Sequence, residues 1–330
     1  RFAHALIGGS GAMSDGTATM VFEDSEIFHN GAGDGQSHNF YLTGDYVRLQ
    51  GNHIHDSVGG QNVKLRVHTI ELLYNLIENE GNYAIDFEQS GNTDAANANA
   101  VMIGNVVVRN PNAQNHGQTI VFGNDNPNGT DVRNGNLYAI NNTFVFTQAN
   151  TGFLHMLNPA PGSKAFFYNN VFHATASGAK LAFDGATDAL MSGSNDWITT
   201  GIAPATAFTG SVTGTDPGFV SATDFHLLAT AAVVDKGLGA PQYLDGAGAT
   251  QDGTPKLEFQ APLGTVARPS DATLDLGAYE FGVAVVDAGA DGQAAGDAAP
   301  AGDAAPAADG GTTTPGESGC SCELTPGRDG

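Results

Sequence analysis

The chain has 330 residues and a formal net charge of −23, because 35 acidic side chains outnumber 12 basic ones. This scarcity of Lys and Arg excludes nucleic acid as a partner, since neutralising phosphates requires clustered cations. With 45 glycines and only 14% charged residues, the composition also disfavours helical bundles and coiled coils. No apolar run reaches the roughly 20 residues of a membrane-spanning helix, so we predict no membrane span.

The first residues show no charged segment followed by an apolar stretch, and the chain starts at Arg1. We interpret this as a mature chain from which a secretion signal has been removed. The expectation is therefore a secreted or cell-surface protein, and we expect it to be monomeric.

A short unit recurs along the first half of the chain: an apolar residue, an Asn after a short gap, and further apolar residues. Its Asn members are Asn52, Asn75, Asn105, Asn142 and Asn170. A short strand precedes each of them, at 38–43, 62–67, 83–88, 118–122 and 152–157, and 20–27 fits the same frame. Two strands per unit without helical spacers are typical of a solenoid.

We therefore predict an all-β fold, a right-handed parallel β-helix with regular coils from about Thr17 to Ala174. The Asn would sit at the bend of each coil, because Asn tolerates the left-handed backbone region and its amide can pair with the next Asn. A jelly roll or sandwich is the competing all-β interpretation. It does not explain why Asn recurs at the same place in every unit.

Two adjacent units of equal length, 38–52 and 61–75, align without gaps. Alternation then directs five apolar side chains inward, and these are Phe40, Leu42, Leu65, Ile85 and Phe87. The residues between them would form an outward polar face on three stacked strands. Its members are Asn39, Tyr41, Asn62, Lys64, Arg66, Asp86 and Glu88, with His38 and His68 on the flanking bends. This set is called the polar face below.

Three functions are compatible with the polar face. Elimination at a uronate would use Arg66 to neutralise the carboxylate, Lys64 as the base, and Tyr41 or His38 as the acid. Five further side chains would then contact the substrate, namely Asn39, Asn62, Asp86, Glu88 and His68. Hydrolysis by Asp86 and Glu88 is a second possibility. A non-catalytic binding or adhesion module is the third.

A purely structural interpretation also exists. Lys64 with Asp86 and Arg66 with Glu88 would be salt bridges between neighbouring coils, each worth about 0–1 kcal/mol. An acidic protein that places its few cations beside carboxylates fits this interpretation as well.

Metal ligands are weakly indicated. Calcium is possible at Asp34, Asp45, Asp56 or the loop 124–126, but turn chemistry alone explains Asp and Asn beside Gly. His53 and His55 share one face of a strand, yet two ligands do not make a zinc site. We therefore predict no specific metal site and no certain cofactor.

The segments Gly35-Gln-Ser-His-Asn-Phe-Tyr41, Gly60-Gln-Asn-Val-Lys-Leu-Arg66 and Ile85-Asp-Phe-Glu88 resemble a group of bacterial β-helix proteins related to polysaccharide lyases. The chain departs from that group at Gln61, where the group has His, and at Leu65, where it has Ser. The resemblance implies a pectate-lyase-like β-helix and a polysaccharide as partner. It does not identify the glycan.

The last part of the body, 175–281, carries spaced motifs that end in Asp275-Leu-Gly-Ala-Tyr-Glu-Phe281. These resemble the C-terminal end of surface proteins of the choice-of-anchor Q type, which implies a β-helix and surface display. We expect terminal coils followed by an irregular cap over the open end of the solenoid.

Residues 282–330 are rich in Ala, Gly, Asp and Pro and show no strand or helix periodicity. We predict a disordered stalk, because such a segment buries too little apolar area to offset its ordering entropy. Its end, Gly319-Cys-Ser-Cys322, resembles the cysteine-bearing sorting tails of myxobacterial surface proteins. This implies anchoring at the outer membrane through Cys320 and Cys322.

Overall fold

The computed structural model describes residues 2–3, 12–13, 16–114, 117–269 and 273–282. All of them belong to one compact unit, Arg1–Val286. The predicted stalk beyond Gly282, including Cys320 and Cys322, lies outside the described residues.

The regular secondary structure of the described residues is almost entirely β-strand, with one 3₁₀ turn at Gly91–Thr93 and one short helix, α1, at Gly185–Asp188. Strands of the first half are β1 (Phe2–Ala3), β2 (Ala12–Met13), β3 (Thr19–Glu23), β4 (Glu26–Phe28), β5 (Phe40–Gln50), β6 (His53–His55), β7 (Val63–Leu73), β8 (Leu76–Glu78), β9 (Ile85–Phe87), β10 (Ala100–Ile103), β11 (Val106–Val108), β12 (Gln118–Gly123), β13 (Leu137–Ile140) and β14 (Thr143–Phe146). Those of the second half are β15 (Gly152–Leu157), β16 (Ala165–Tyr168), β17 (Val171–Ala174), β18 (Lys180–Ala182), β19 (Met191–Ser194), β20 (Trp197–Thr199), β21 (Phe208–Thr209), β22 (Val212–Gly214), β23 (Gln242–Leu244), β24 (Thr250–Asp252), β25 (Leu257–Phe259) and β26 (Thr265–Ala267).

Strands β1 to β22 form two parallel sheets that wind as a β-helix, which confirms the predicted fold. One sheet has nine strands in the order β1-β4-β6-β8-β11-β14-β17-β20-β22, so each strand pairs with its equivalent in the next coil. In the larger sheet, the long strand β7 serves two rows. Its first half pairs with β9 and its second half with β10. Each coil therefore has three faces, two of which are continuous in β5 and β7.

The predicted register between the equal-length coils is confirmed. Tyr41 pairs with Lys64 and Thr43 with Arg66 in the parallel ladder of β5 and β7. The five predicted core side chains are at most 1% exposed. The alternation of apolar and polar residues thus identified the inward side correctly.

The predicted Asn repeat forms a continuous ladder of buried amides, the Asn ladder, which comprises Asn52, Asn75, Asn105, Asn142 and Asn170. Each Nδ2 donates to the Oδ1 of the next member over 2.9–3.1 Å. The same Oδ1 atoms also accept backbone N–H groups of the preceding members over 2.9–3.0 Å. The ladder therefore satisfies buried polar groups in successive coils.

The backbone at these bends differs from the sequence-based expectation. Ladder residues themselves do not adopt the left-handed region; the residue immediately before each of them does. Those residues are Gly51, Tyr74, Gly104, Asn141 and Asn169, with φ between 52° and 65°. The side-chain amide, rather than the tolerance of Asn for positive φ, is what the ladder position requires.

The solenoid continues beyond Ala174, where we predicted that the regular coils end. Strand β17 pairs in parallel with β20, which pairs with β22, and β16 pairs with β19. These later coils lack an Asn at the ladder position, where Asp196 accepts from Asn170 instead. A pattern based on Asn therefore stops too early.

The irregular C-terminal part contains two antiparallel hairpins, β23–β24 and β25–β26. The Asp275–Phe281 motif lies along the nine-stranded sheet of the solenoid, and the Ala278 N–H donates to Thr143 Oγ1 over 3.0 Å. Leu276 packs against Val171 and Trp197, and Gly277 N–H donates to Asn169 O over 2.8 Å. The motif thereby covers outward apolar residues of the nine-stranded sheet.

Candidate functional site

The polar face lies on the first rows of the larger sheet, where β5, β7 and β9 are neighbours. The register brings Tyr41, Lys64 and Asp86 side by side on the outside of the three strands. Their inward neighbours, Phe40 and Leu65 among them, are fully buried. The polar side chains are therefore positioned by strands whose inward side chains pack in the apolar core.

Lys64 forms the central ion pair of the polar face. Its Nζ lies 2.7 Å from Asp86 Oδ2 and 3.3 Å from Asp125 Oδ2, and the Asp86 side chain is only 1% exposed. Burial by itself lowers the pKa of Lys64, but the carboxylates of Asp86 and Asp125 outweigh burial and raise it. Lys64 is therefore an ammonium ion at neutral pH, and the lowered pKa that a base would need is absent.

Arg66 does not pair with Glu88 as the structural interpretation predicted. Its Nη2 contacts Asp125 Oδ2 at 2.5 Å, its Nη1 donates to Gln89 O over 2.7 Å, and its Nε donates to Tyr41 Oη over 3.2 Å. The guanidinium pairs with a loop carboxylate instead of the strand carboxylate of Glu88. Arg66 and Lys64 thus converge on one oxygen of Asp125.

Glu88 and Asp86 are two buried carboxyl groups of the polar face, each 1% exposed. The Asp125 backbone N–H donates to Glu88 Oε2 over 2.7 Å. Burial, followed by the charge of Asp86 and a hydrogen bond to it, raises the pKa of Glu88 well above its ordinary value. The hydrolase role of Asp86 and Glu88 stays a prediction.

His38 lies at the end of the polar face and is 3% exposed. Burial, assisted by Lys64, lowers its pKa to about 4. Its Nδ1 accepts the Gln61 backbone N–H over 3.1 Å, so the neutral ring carries its proton on Nε2. The ring stacks on Tyr41 with centroids 5.5 Å apart. His38 is thus a neutral donor.

Asn39 and Asn62 do not project from the polar face, so their predicted outward orientation is wrong. Both are fully buried. Asn39 Nδ2 donates to Asn62 Oδ1 over 2.8 Å, and Asn62 Nδ2 donates to Glu78 O over 2.7 Å. Like the Asn ladder, they are buried amides that hydrogen-bond between neighbouring coils. They occupy a second corner, where the chain turns before β5 and β7 begin.

His68 also differs in position from the rest of the set. Its ring nitrogens contact Thr69 Oγ1 at 3.0 Å and Ala96 O at 3.1 Å. These partners belong to the bend between the two halves of β7 and to the following loop. His68 therefore lies beside the polar face without joining its hydrogen-bond network.

The loop 124–136 completes the site, and this role was not predicted. Arg133 is fully buried, with its guanidinium carbon 5.1 Å from the ring centroid of Phe122 and its Nη1 donating to Val67 O over 2.9 Å. Burial lowers the pKa of Arg133 to about 9, so the side chain is cationic at neutral pH. The loop thus packs over Glu88 and places Asp125 at the partly exposed edge of the site.

One sequence signal for this loop was present. Its run of Asn, Asp, Gly and Pro is long for a connection between two strands of a solenoid, and long loops are often functional. The sequence indicates 124–126 only as a calcium candidate. Asp125 instead contacts two cations, while Asp34 and Asp45 bond to a turn and to Asn92. Among the described residues none of these three acids joins a cluster of three potential metal ligands.

The site is less acidic than the chain as a whole. Its charged groups are the cations Lys64, Arg66 and Arg133 and the ion-paired carboxylates Asp86 and Asp125. Glu88 adds no charge when it is protonated. Cations are thus concentrated here in a chain whose net charge is −23.

A scan against protein families found no matching family, and a search of curated proteins found no relative. Within the described ranges, no helix has the length and apolar character needed to cross a membrane.

Proposed function

We propose that the polar face binds an acidic polysaccharide by holding a uronate carboxylate between Arg66 and Lys64. The observation that supports this most directly is the position of Asp125. Its Oδ2 accepts from Lys64 Nζ and Arg66 Nη2 while the side chain remains 32% exposed. A carboxylate at this point has two charge-assisted contacts, which are the strong kind of hydrogen bond.

A ligand carboxylate would take the place of Asp125 and leave the sheet unchanged. Asp125 lies on an exposed loop, whereas Lys64 and Arg66 project from a strand. Tyr41 is half-buried beside Arg66, and its ring and hydroxyl suit the face and hydroxyl groups of a sugar. The proposal thus needs a movement of the loop only.

Arg66→Ala tests the proposal, with Lys180→Ala as the matched control. Lys180 is an exposed cation on β18 of the same sheet and contacts the ring of Phe183. With polygalacturonate as the probe and neutral dextran as the negative control, we expect Arg66→Ala to bind about tenfold more weakly or worse. A charge-assisted hydrogen bond is worth about 1.5–3 kcal/mol. The difference should shrink at high salt. Equal binding by the two variants contradicts the proposal.

Asp125→Ala separates displacement from positioning. If a ligand carboxylate competes with Asp125, removing the loop carboxylate should increase the affinity for polygalacturonate. A decrease as large as that of Arg66→Ala would mean that Asp125 holds the cations in place, and the displacement step would then be wrong.

Elimination is the second candidate function. The Arg66 Nε donates to Tyr41 Oη, which leaves the phenol proton available for a leaving oxygen at the mouth of the site. Because Lys64 is protonated, the reaction needs a different base from the one we predicted. Formation of the unsaturated product, read at its enone absorbance and lost in Tyr41→Phe, would support elimination. Binding without formation of this product would support a non-catalytic binding module instead.

We further propose that the protein acts outside the cell or at its surface. The basis is the resemblance of the C-terminal motifs and of the Cys320–Cys322 tail to anchored surface proteins, together with an extracellular glycan as ligand. Fractionation of cells with an antibody to the β-helix tests this; recovery in the cytoplasm alone contradicts it.

A further inference from the structure

A second cluster of polar side chains lies on the nine-stranded sheet, away from the larger sheet that carries the polar face. Strands β4, β6 and β8 are parallel neighbours there, and Ile27, Ile54 and Ile77 fill their inward positions at 0% exposure. Residues on either side of these Ile point outward. The outward set that forms the cluster consists of Glu26, His53, His55 and Glu78.

Three of these side chains place potential metal-ligand atoms close to one another. One ligand atom each from Glu26, His53 and His55 lies within 4.8 Å of the other two. Glu26 Oε1 is 3.6 Å from His55 Nε2, and the two imidazole rings stack with centroids 4.0 Å apart. Their side chains are 14–20% exposed, so an ion can reach them from solvent.

The imidazole of His55 is oriented as metal-binding histidines are. Its Nδ1 lies 2.7 Å from Asp56 Oδ2, so Nδ1–H donates to that carboxylate and Nε2 carries the lone pair. This Nε2 is buried and has no hydrogen-bond partner within the described part of the chain. A buried acceptor that faces a carboxylate and a second imidazole is costly unless a cation fills the space between them.

His53 has an equivalent support. Its Nε2 lies 2.8 Å from Glu78 Oε1. Donation of Nε2–H to Glu78 leaves Nδ1 as the lone-pair nitrogen, in the same arrangement of carboxylate and imidazole. Glu78 is 35% exposed and borders the cluster. Each histidine thus has its own carboxylate partner, and Glu26 supplies the third ligand.

We propose that Glu26, His53 and His55 form a binding site for a divalent transition-metal ion of the Zn²⁺ class, with a coordination position open to solvent. Two imidazoles and one carboxylate suit such ions, whereas Ca²⁺ and Mg²⁺ prefer oxygen ligands throughout. The site is independent of the proposed saccharide binding. It also goes beyond the sequence, which indicated His53 and His55 as two ligands without a third.

The test uses the full chain with Cys320→Ser and Cys322→Ser, so that the tail thiols bind no metal. After treatment with a chelator, Zn²⁺ is titrated calorimetrically, and Co²⁺ is added to record its visible absorption. We expect one Zn²⁺ per chain and a cobalt spectrum. Both should be lost in His55→Ala and in the more conservative Glu26→Gln, provided that circular dichroism shows a folded chain.

Two further variants sharpen the test. His226→Ala is the control, because His226 has a single carboxylate partner, Asp224, at 2.6 Å and is exposed; it should bind Zn²⁺ like the parent. Asp56→Asn keeps all three ligands and removes only the orienting carboxylate, so we expect affinity to fall about 10–100-fold. Absence of Zn²⁺ binding in the parent, or unchanged binding in both His55→Ala and Glu26→Gln, overturns the proposal.

Discussion

The buried corner of the solenoid repeats one residue type from coil to coil, whereas the outer face does not. The Asn ladder presents the same amide in coil after coil. The outer row that contains Lys64 and Asp86 changes at the next strands, where Val121 and His155 occupy the equivalent positions. A feature that repeats serves the scaffold, whereas one confined to a few coils is a candidate for function. The predictions below test this distinction.

The largest effect is expected from Leu65→Asp, which places a carboxylate in the apolar interior. Leu65 is fully buried between the inward residues of neighbouring coils. An unpaired buried charge should lower the free energy of unfolding by more than about 4 kcal/mol. Urea denaturation measures this. The control is Val21→Asp, because Val21 is 47% exposed. Similar losses in the two variants would reverse the assignment of inward and outward sides.

Lys64→Met removes the cation of a buried pair and leaves Asp86 behind. We expect a loss of about 3–5 kcal/mol in urea denaturation, because the uncompensated carboxylate remains buried. Lys256→Met is the matched control, since its pair with Asp252 is more than half exposed, and should cost less than about 1 kcal/mol. If the two substitutions cost the same, the polar face is an ordinary surface salt-bridge ladder.

Asn105→Ala breaks the Asn ladder in the middle. Asn105 Oδ1 accepts from Asn75, and its Nδ2 donates to Leu72 O and to Asn142 Oδ1. Buried groups left without partners should cost about 2–4 kcal/mol of unfolding free energy. Asn112→Ala, at an exposed loop position, should be neutral. A neutral result at Asn105 would mean that the repeat does not stabilise the scaffold.

Asp196→Asn should produce a smaller, pH-dependent effect. Asp196 ends the Asn ladder, and burial raises its pKa to about 7. A raised carboxyl pKa means that the folded state holds its proton between about pH 4 and pH 7, so wild-type stability falls as pH rises through this window. The variant keeps the acceptor for Asn170 and has no proton to lose.

We therefore expect Asp196→Asn to unfold like the wild type near pH 4 and to be more stable by about 1–3 kcal/mol at pH 8. Thermal or urea unfolding at both pH values measures the difference. Asp216→Asn, at an exposed position, is the matched control. A constant difference between wild type and Asp196→Asn at all pH values would contradict the raised pKa.

The amino-acid sequence by itself determined the coil register, the inward core and the buried Asn repeat. These depend on alternation along a strand and on a residue that recurs once per coil, which are local properties. Phe40 and Leu65 are buried because every second residue of their strands faces the interior. The same alternation wrongly placed Asn39 and Asn62 outside, because both precede their strands and turn into a corner.

Only the tertiary structure decided which loop packs beside the polar face and which side chains that loop contributes. Asp125 and Arg133 follow Lys64 in the chain by about sixty residues or more, and no strand periodicity links their loop to β7. Because Asp125 pairs with the Arg66 guanidinium, Arg66 does not pair with Glu88. Burial and neighbouring charges then decide which groups of the site are protonated. Hydrogen bonds and pKa values at the site depend on distances and burial in three dimensions, and those are set by which loop packs over a strand.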